Sequence, residues 1–228
     1  VKLADHKYCM ESKKNNPKKI NNFKEFVKEF GDIDGKENLE EIPCIILAGP
    51  PGCGKGTQAK IISKGMRWKH ISTGDILRGS DDKDIKKMMK SGELLPDDLV
   101  GKELISYLKE YSKHHDPRGF IFDGYPRNLA QKDIFNEICS VNKLKLVYVF
   151  FLNAPESLLK KRITERGKSS GRSDDKNEKA FNKRMEEYKE QTLPMIESMR
   201  NGTDFLEISA NKDLDEISSI IFKKLSEI

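Results

Sequence analysis

Short apolar runs alternate along the chain with segments whose apolar residues recur every three to four positions. The first run, Ile45-Ile46-Leu47-Ala48, enters a glycine-rich turn, Gly49-Pro50-Pro51-Gly52-Cys53-Gly54-Lys55-Gly56-Thr57, and a helical pattern follows through Ile61 and Ile62. A second short strand ends at Ser72, with a helix opening behind it, and a polar helix is expected over 81–90. Pro96 stops that helical stretch and Asp97 caps the next. A third apolar run, Phe120-Ile121-Phe122, ends on Asp123. The longest, residues 144–152, is rich in Val, Tyr and Phe and reads as a buried strand. A helix with Arg162 and Arg166, a polar loop at 167–176, one long charged helix with Arg184, a strand at 205–208 and a helix from Leu214 complete the pattern. Strands alternating with helices predict an α/β fold built on a parallel sheet.

Composition narrows this picture. The 228 residues suit one sizeable domain. They are 36% hydrophobic and 35% charged, and no apolar run nears the roughly 18 residues of a membrane span. The four cysteines, Cys9, Cys44, Cys53 and Cys139, form no paired or zinc-binding spacing, so a reducing compartment is expected and zinc is not. The histidines make no metal or triad pattern. Residues 1–41 read as an extension rich in Lys, Asn, Glu and Asp, in which Ile20, Phe23, Val27 and Phe30 fall at helical spacing. A short docked helix or a mostly disordered arm is favoured there over a partner-binding or targeting segment, because acidic residues are mixed with the lysines. The first residue is not Met, so an organellar destination stands as the alternative to the cytoplasm.

The strand, glycine-rich turn and helix start form the context of a phosphate-binding loop. Glycines at 52, 54 and 56 let the backbone approach an anion. Amides at the helix start point at phosphate, and Lys55 adds a mobile cation. The strict pattern places Ser or Thr directly after the lysine. Here Gly56 intervenes and Thr57 comes one later. This Gly-Lys-Gly-Thr-Gln variant resembles the nucleoside monophosphate kinases, the adenylate kinase and UMP-CMP kinase group.

Further segments carry the same resemblance. Ser72-Thr73-Gly74-Asp75-Ile76-Leu77-Arg78 is similar to the family's monophosphate-binding segment, which implies that Thr73 contacts the acceptor nucleotide and Arg78 its phosphate. Met89, Leu95 and Val100 then line the acceptor base pocket. The stretch from Arg78 to Gly92 is shorter than the family's by more than one helical turn, so a trimmed acceptor cover is expected. Asp123-Gly124-Tyr125-Pro126-Arg127 delivers a carboxylate and an arginine at a strand end, where open parallel sheets bind ligands. The resemblance gives Asp123 to magnesium through water, and Gly124 and Arg127 to the acceptor. Gln131 is placed to read the adenine edge, since an amide pairs with a neighbouring donor and acceptor. Thr73 and Gln131 match the adenylate kinases, whereas Trp68, Gly171-Arg172-Ser173-Asp174-Asp175 and Ala210-Asn211 match UMP-CMP kinases. Arg162 is implied to stack on the donor base, and Arg166, Arg172 and Arg184 to clamp phosphates, with a short lid at about 167–177.

The resemblance covers residues from about 43 onward. It implies a P-loop NTPase fold over residues 42–228, with a five-stranded parallel sheet flanked by helices and an acceptor-binding insertion at about 73–100. The implied reaction is reversible phosphoryl transfer from MgATP to AMP, giving two ADP. The alternative is a UMP-CMP kinase. A nucleotide switch without transfer activity is disfavoured, because Asn211-Lys212-Asp213-Leu214 misses the guanine-binding pattern at its last position. A cleft for two polyanions accounts for the net charge of +5 without nucleic acid. A monomer is expected.

Overall fold

The computed structural model describes residues 41–91, 94–169, 175, 177–202 and 204–228. The helix expected around residues 20–30 lies outside them, as do Gly92 and most of the expected lid, including Arg172. Five strands, β1 (Ile42–Ala48), β2 (Lys69–Ser72), β3 (Phe120–Asp123), β4 (Leu144–Asn153) and β5 (Phe205–Ser209), form one parallel sheet in the order β2-β3-β1-β4-β5. Helices α1 (Lys55–Met66), α2 (Thr73–Gly79), α3 (Lys83–Ser91), α4 (Asp97–Ser112), α5 (Leu129–Val141), α6 (Glu156–Ser169), α7 (Glu178–Glu187), α8 (Leu193–Glu197) and α9 (Leu214–Leu225) connect and flank it. The α/β architecture with a five-stranded parallel sheet is the one expected from the sequence.

β1 is the central strand, and Cys44 to Ala48 are all buried. Helices cover both faces of such a sheet, which is why the strand reads as an unbroken apolar run instead of an alternating one. Leu47 pairs with Asp123 and Ala48 with Phe151, so the C-terminal ends of β1, β3 and β4 finish side by side. The chain runs outward from β1 to β2 in one direction and from β4 to β5 in the other. The strand order therefore reverses between β1 and β4, opening a crevice at the carboxyl edge of the sheet.

α1 buries Gln58, Ala59 and Ile62. Gln58 is a polar residue in the core, and α9 satisfies it: its Nε2 donates to the Leu214 carbonyl at 3.0 Å, and its Oε1 accepts from Ser218 Oγ at 3.0 Å. Both ends of the buried amide are thus paired, which keeps its burial from being costly. Two elements differ from the sequence expectation. The polar helix begins at Lys83, not at 81, because Asp82 Oδ1 accepts the amides of Asp84 and Ile85 at 2.8 and 3.3 Å and so caps it. The long charged helix after the expected lid is interrupted by a π-turn at Tyr188–Thr192, where the Leu193 amide bonds back to the Tyr188 carbonyl. Pro194 follows immediately and has no amide hydrogen to continue the regular ladder. Among the described residues no helix is long and apolar enough to cross a membrane.

At the opposite, amino-terminal edge of the sheet, the indole of Trp68 lies flat against Gly119. A Cβ on Gly119 would come within 2.4 Å of the ring. The Lys69 amide donates to the Gly119 carbonyl at 2.8 Å, and Ser63 Oγ donates to the Trp68 carbonyl at 2.7 Å, so neither side of the contact is able to retreat easily. Gly119→Ala should destabilise the fold by about 2 kcal/mol through this overpacking, measured as a lower denaturant midpoint at unchanged slope.

Candidate active site

The turn after β1 reverses on Gly54, which caps α1 in a left-handed conformation (φ 102°) that a side chain would strain. This wraps the loop around the start of α1, whose first-turn amides face the crevice. A cavity of about 400 Å³ opens there, lined by Gly52, Gly54, Lys55, Gly56 and Thr57 on the loop side and by His70, Ser72, Gly74 and Asp75 from β2 and α2. Asp123, Gly124 and Arg127 line it beyond β3, and Arg78, Arg166 and Arg184 add guanidinium groups. Its volume matches that of small-ligand sites.

Each of these cations is held by a counter-group. Lys55 Nζ donates to the carbonyls of Gly49 and Pro50 at 2.7 and 2.9 Å, with Cys53 Sγ at 3.4 Å. Arg127 Nε donates to the Gly124 carbonyl at 2.8 Å. Arg78 Nη2 donates to Asp75 Oδ1 at 2.5 Å, an i,i+3 pair on α2. Arg166 grips Asp175 through Nε to Oδ2 (2.6 Å) and Nη2 to Oδ1 (2.7 Å), and Arg184 Nη1 reaches the same Oδ1 at 3.0 Å. Burial pushes the Asp175 carboxyl up, but the two guanidiniums outweigh it and hold the group below its ordinary range.

The carboxylate expected at the end of β3 is present in the cavity wall. Asp123 Oδ2 lies 3.2 Å from His70 Nε2, and the two side chains are 12% and 15% exposed. A Cβ on Gly56 would sit 3.2 Å from that same oxygen. A side chain at the residue after the loop lysine would thus crowd Asp123, whose carboxylate would have to give by a few tenths of an ångström. Among the described residues no group of three or more His, Cys, Asp or Glu converges to form a metal cage. Asp123, on the wall beside the phosphate loop, fits magnesium, which keeps several waters and takes its remaining ligands from phosphates.

The other expected site residues divide into two groups. Thr73 is buried beside the cleft, and its Oγ1 donates to the Gly124 carbonyl at 3.0 Å. Gln131 is 2% exposed and sits beneath the wall: Oε1 accepts the Arg127 amide at 2.8 Å and Nε2 donates to Asp97 Oδ1 at 2.8 Å. Leu95 and Val100 point into the core, Met89 packs partly against it, and Leu94 is the residue of that segment on the cavity wall. Arg162 is half-buried on α6 and is not among the lining residues. Arg172 lies outside the described residues. Sequence reasoning missed His70, Leu94, and Tyr188 and Thr192, which the π-turn brings to the cavity wall. Burial raises the Tyr188 phenol, so it stays a hydroxyl there. The signal that would have pointed to the last two is Pro194, which interrupts a helical pattern just after Thr192.

A crevice of this kind gathers small phosphorylated molecules and screens their charge, and it places the chain among the P-loop nucleoside monophosphate kinases. A family profile described as adenylate kinase matches residues 47–203, and the chain belongs to that family. It is similar to the adenylate kinase of Prochlorococcus marinus (strain MIT 9515), 39% identical over 188 residues that cover 80% of this chain and 98% of the relative. It is also similar to the adenylate kinases of Flavobacterium psychrophilum, at 35% over 190 residues (81% and 96%), and Bacteroides thetaiotaomicron, at 34% over 190 residues (81% and 98%).

Two outcomes follow from this geometry. Gly56→Ser, which restores the strict loop pattern, should lower kcat about ten-fold by displacing Asp123, with little change in the KM for AMP; steady-state kinetics check it. Because the folded Asp175 pKa lies below the unfolded value of about 3.9, its contribution to stability is complete above that value and is lost as pH falls through the folded one. The Tm difference between wild type and Asp175→Asn should therefore be largest near neutrality and shrink in acid, as thermal melts across pH will register.

Proposed function

We propose that this cleft carries out reversible phosphoryl transfer from MgATP to AMP, giving two ADP. The observation that carries the reading is the convergence of Lys55, Arg78, Arg127, Arg166 and Arg184 on one cavity beside a phosphate-binding loop. Two nucleotides with facing phosphates repel each other strongly. A site that binds both must supply fixed positive charge on every side of the transferring group.

In this reading the donor phosphates lie along residues 52–57 and the first-turn amides of α1. Lys55 exchanges the Gly49 and Pro50 carbonyls for the β- and γ-phosphates. Arg78 and Arg127 hold the acceptor phosphate, the latter as a planar fork suited to bidentate contact. Arg166 and Arg184, with Arg172, face the group in flight, and Arg162 borders the donor base. Asp123 would hold magnesium through its waters, and the ion would supply charge neutralisation at the donor phosphates. The acceptor is already a phosphate oxygen, so no side chain needs to act as nucleophile, and positioning with preorganised charge accounts for the rate. Water competes as an acceptor, which makes closure of the 73–100 insertion and the 167–177 lid part of the chemistry.

Gln131 is compatible with adenine recognition despite its internal bonds. An amide has two N–H donors and two acceptor lone pairs. Asp97 takes one donor and the Arg127 amide one lone pair, which fixes the polarity of the remaining two. Thr73 borders the same region. Buried free thiols at Cys44 and Cys53 support a reducing, cytoplasmic setting, and the reading is of a monomer.

The test is an acceptor panel of AMP, CMP, UMP and GMP with MgATP, repeated with GTP as donor. AMP should give the highest kcat/KM. Faster turnover of CMP or UMP would overturn the assignment in favour of a UMP-CMP kinase.

A further inference from the structure

The π-turn changes which way the chain beyond Arg184 faces. A regular α-helix advances about 100° per residue, which would turn Thr192 about 80° away from the direction of Arg184. The turn at Tyr188–Thr192 inserts one residue into the ladder, so Thr192 falls within about 20° of that direction instead. Arg184, Tyr188 and Thr192 accordingly all line the cleft, while Met195 and Ile196 just beyond are buried in the core. Insertions of this kind concentrate at functional sites. What this one presents is a hydroxyl. Elsewhere in the helices such groups turn back onto the main chain: Thr164 Oγ1 donates to the Lys160 carbonyl at 2.9 Å, and Ser218 and Ser219 Oγ donate to the carbonyls of Leu214 and Asp215, each at 2.8 Å. The carbonyl four residues before Thr192 is that of Tyr188, which accepts the Leu193 amide across the π-turn. Within the turn, Lys189 is paired with Glu156 and Gln191 with Glu187. Among the described residues the half-buried Thr192 has no side-chain hydrogen bond, and it borders the cleft. α8 starts at the next residue and packs against α5, where Lys132 Nζ donates to the Ser198 carbonyl at 3.2 Å. α5 opens two residues after Arg127, so the Thr192 hydroxyl stands on the Arg127 side of the cleft.

We propose that Thr192 is a substrate-binding residue whose Oγ1 donates a hydrogen bond to a phosphate oxygen of the acceptor nucleotide beside Arg127. This rests on the proposed reading of the cleft as a site for two nucleotides. A hydroxyl supplies there what a further guanidinium could not. It donates to a charged oxygen without adding to the repulsion among Lys55, Arg78, Arg127, Arg166 and Arg184. Its branched Cβ and the helix on both sides leave it few rotamers, so the donor is aimed before the ligand arrives. The π-turn then has a use in the chemistry: it carries one more polar group round to the phosphates while the following turn keeps its apolar residues in the core.

The test uses the full chain with Thr192→Val, which keeps the branched shape and removes the hydrogen-bonding group, and Thr192→Ser, which keeps the hydroxyl. Steady-state kinetics give the KM for AMP, for 2′-deoxy-AMP and for ATP, and thermal melts give Tm. Thr192→Val should raise the KM for AMP and for 2′-deoxy-AMP alike, by about ten-fold, as expected for a lost hydrogen bond to a charged group. The KM for ATP should stay within about two-fold, and Tm within about 2 °C. Thr192→Ser should keep the KM for AMP within about two-fold of wild type. An unchanged KM for AMP in Thr192→Val overturns the inference. A rise confined to ATP overturns it by putting the hydroxyl on the donor, and a rise that spares 2′-deoxy-AMP does so by putting it on the ribose. Equal losses of Tm and affinity in Thr192→Val and Thr192→Ser mark a structural role and count against it as well. Should Thr192→Val fail to fold, Thr192→Ala set against Thr192→Ser decides by the same criteria. Every nucleoside monophosphate carries the same phosphate, so the effect should follow whichever acceptor turns over fastest. A panel ranking CMP or UMP above AMP would therefore sink the choice of base and leave the Thr192 prediction standing.

Discussion

Mutual repulsion among cations is the constraint on which this cleft depends. Lys55, Arg78, Arg127, Arg166 and Arg184 face one hollow, and at separations of several ångströms in a partly buried site, like charges oppose one another by kilocalories. The fold answers with two kinds of counter-group. The inner cations, Lys55 and Arg127, rest on backbone carbonyls of Gly49, Pro50 and Gly124. The outer ones rest on carboxylates, Asp75 for Arg78 and Asp175 for Arg166 and Arg184. A carbonyl dipole is surrendered to phosphate more readily than a full charge. The inner cations are thus suited to exchange their carbonyls for phosphate, and the outer ones to keep their carboxylates while offering phosphate their remaining N–H donors.

The rigid part of this arrangement is the sheet edge. β1, β3 and β4 end together through the pairing of Leu47 with Asp123 and Ala48 with Phe151, so the phosphate loop, the wall carboxylate and the β3 turn are fixed relative to one another by backbone hydrogen bonds. Gly56 faces Asp123 closely, a Cβ there coming 3.2 Å from its Oδ2. The loop that departs from the strict pattern at Gly56 thus has the β3 carboxylate as its immediate neighbour.

The fold was legible because its signals are local. Ile45 to Ala48, Phe120 to Phe122 and residues 144–152 are apolar runs bounded by turns, and the helices between them declare their period. The loop around Lys55 and the Asp123–Arg127 segment were legible for the same reason, each being contiguous. What stayed hidden depends on distant pairs or on a shift of one residue. His70 meets Asp123 only because β2 and β3 are neighbours in the sheet. Leu94, and not Leu95, reaches the cavity, in a non-helical segment where no period tells which of two adjacent leucines faces inward. Gln131 carried the right chemistry, but its bonds to Asp97 and to the Arg127 amide required the folded turn. The π-turn at Tyr188–Thr192 shifts the register inside what reads as one continuous helix, so the residues it brings to the cavity follow no regular period.

The contact between Trp68 and Gly119 has a practical consequence. Trp68 is the only tryptophan in the sequence, and it is packed at the edge of the sheet remote from the phosphate loop. Its intrinsic fluorescence reports on the packing of the β2–β3 margin. The molecule carries a built-in optical probe of folding, in which a ligand that binds only the folded state registers as a shift of the unfolding transition.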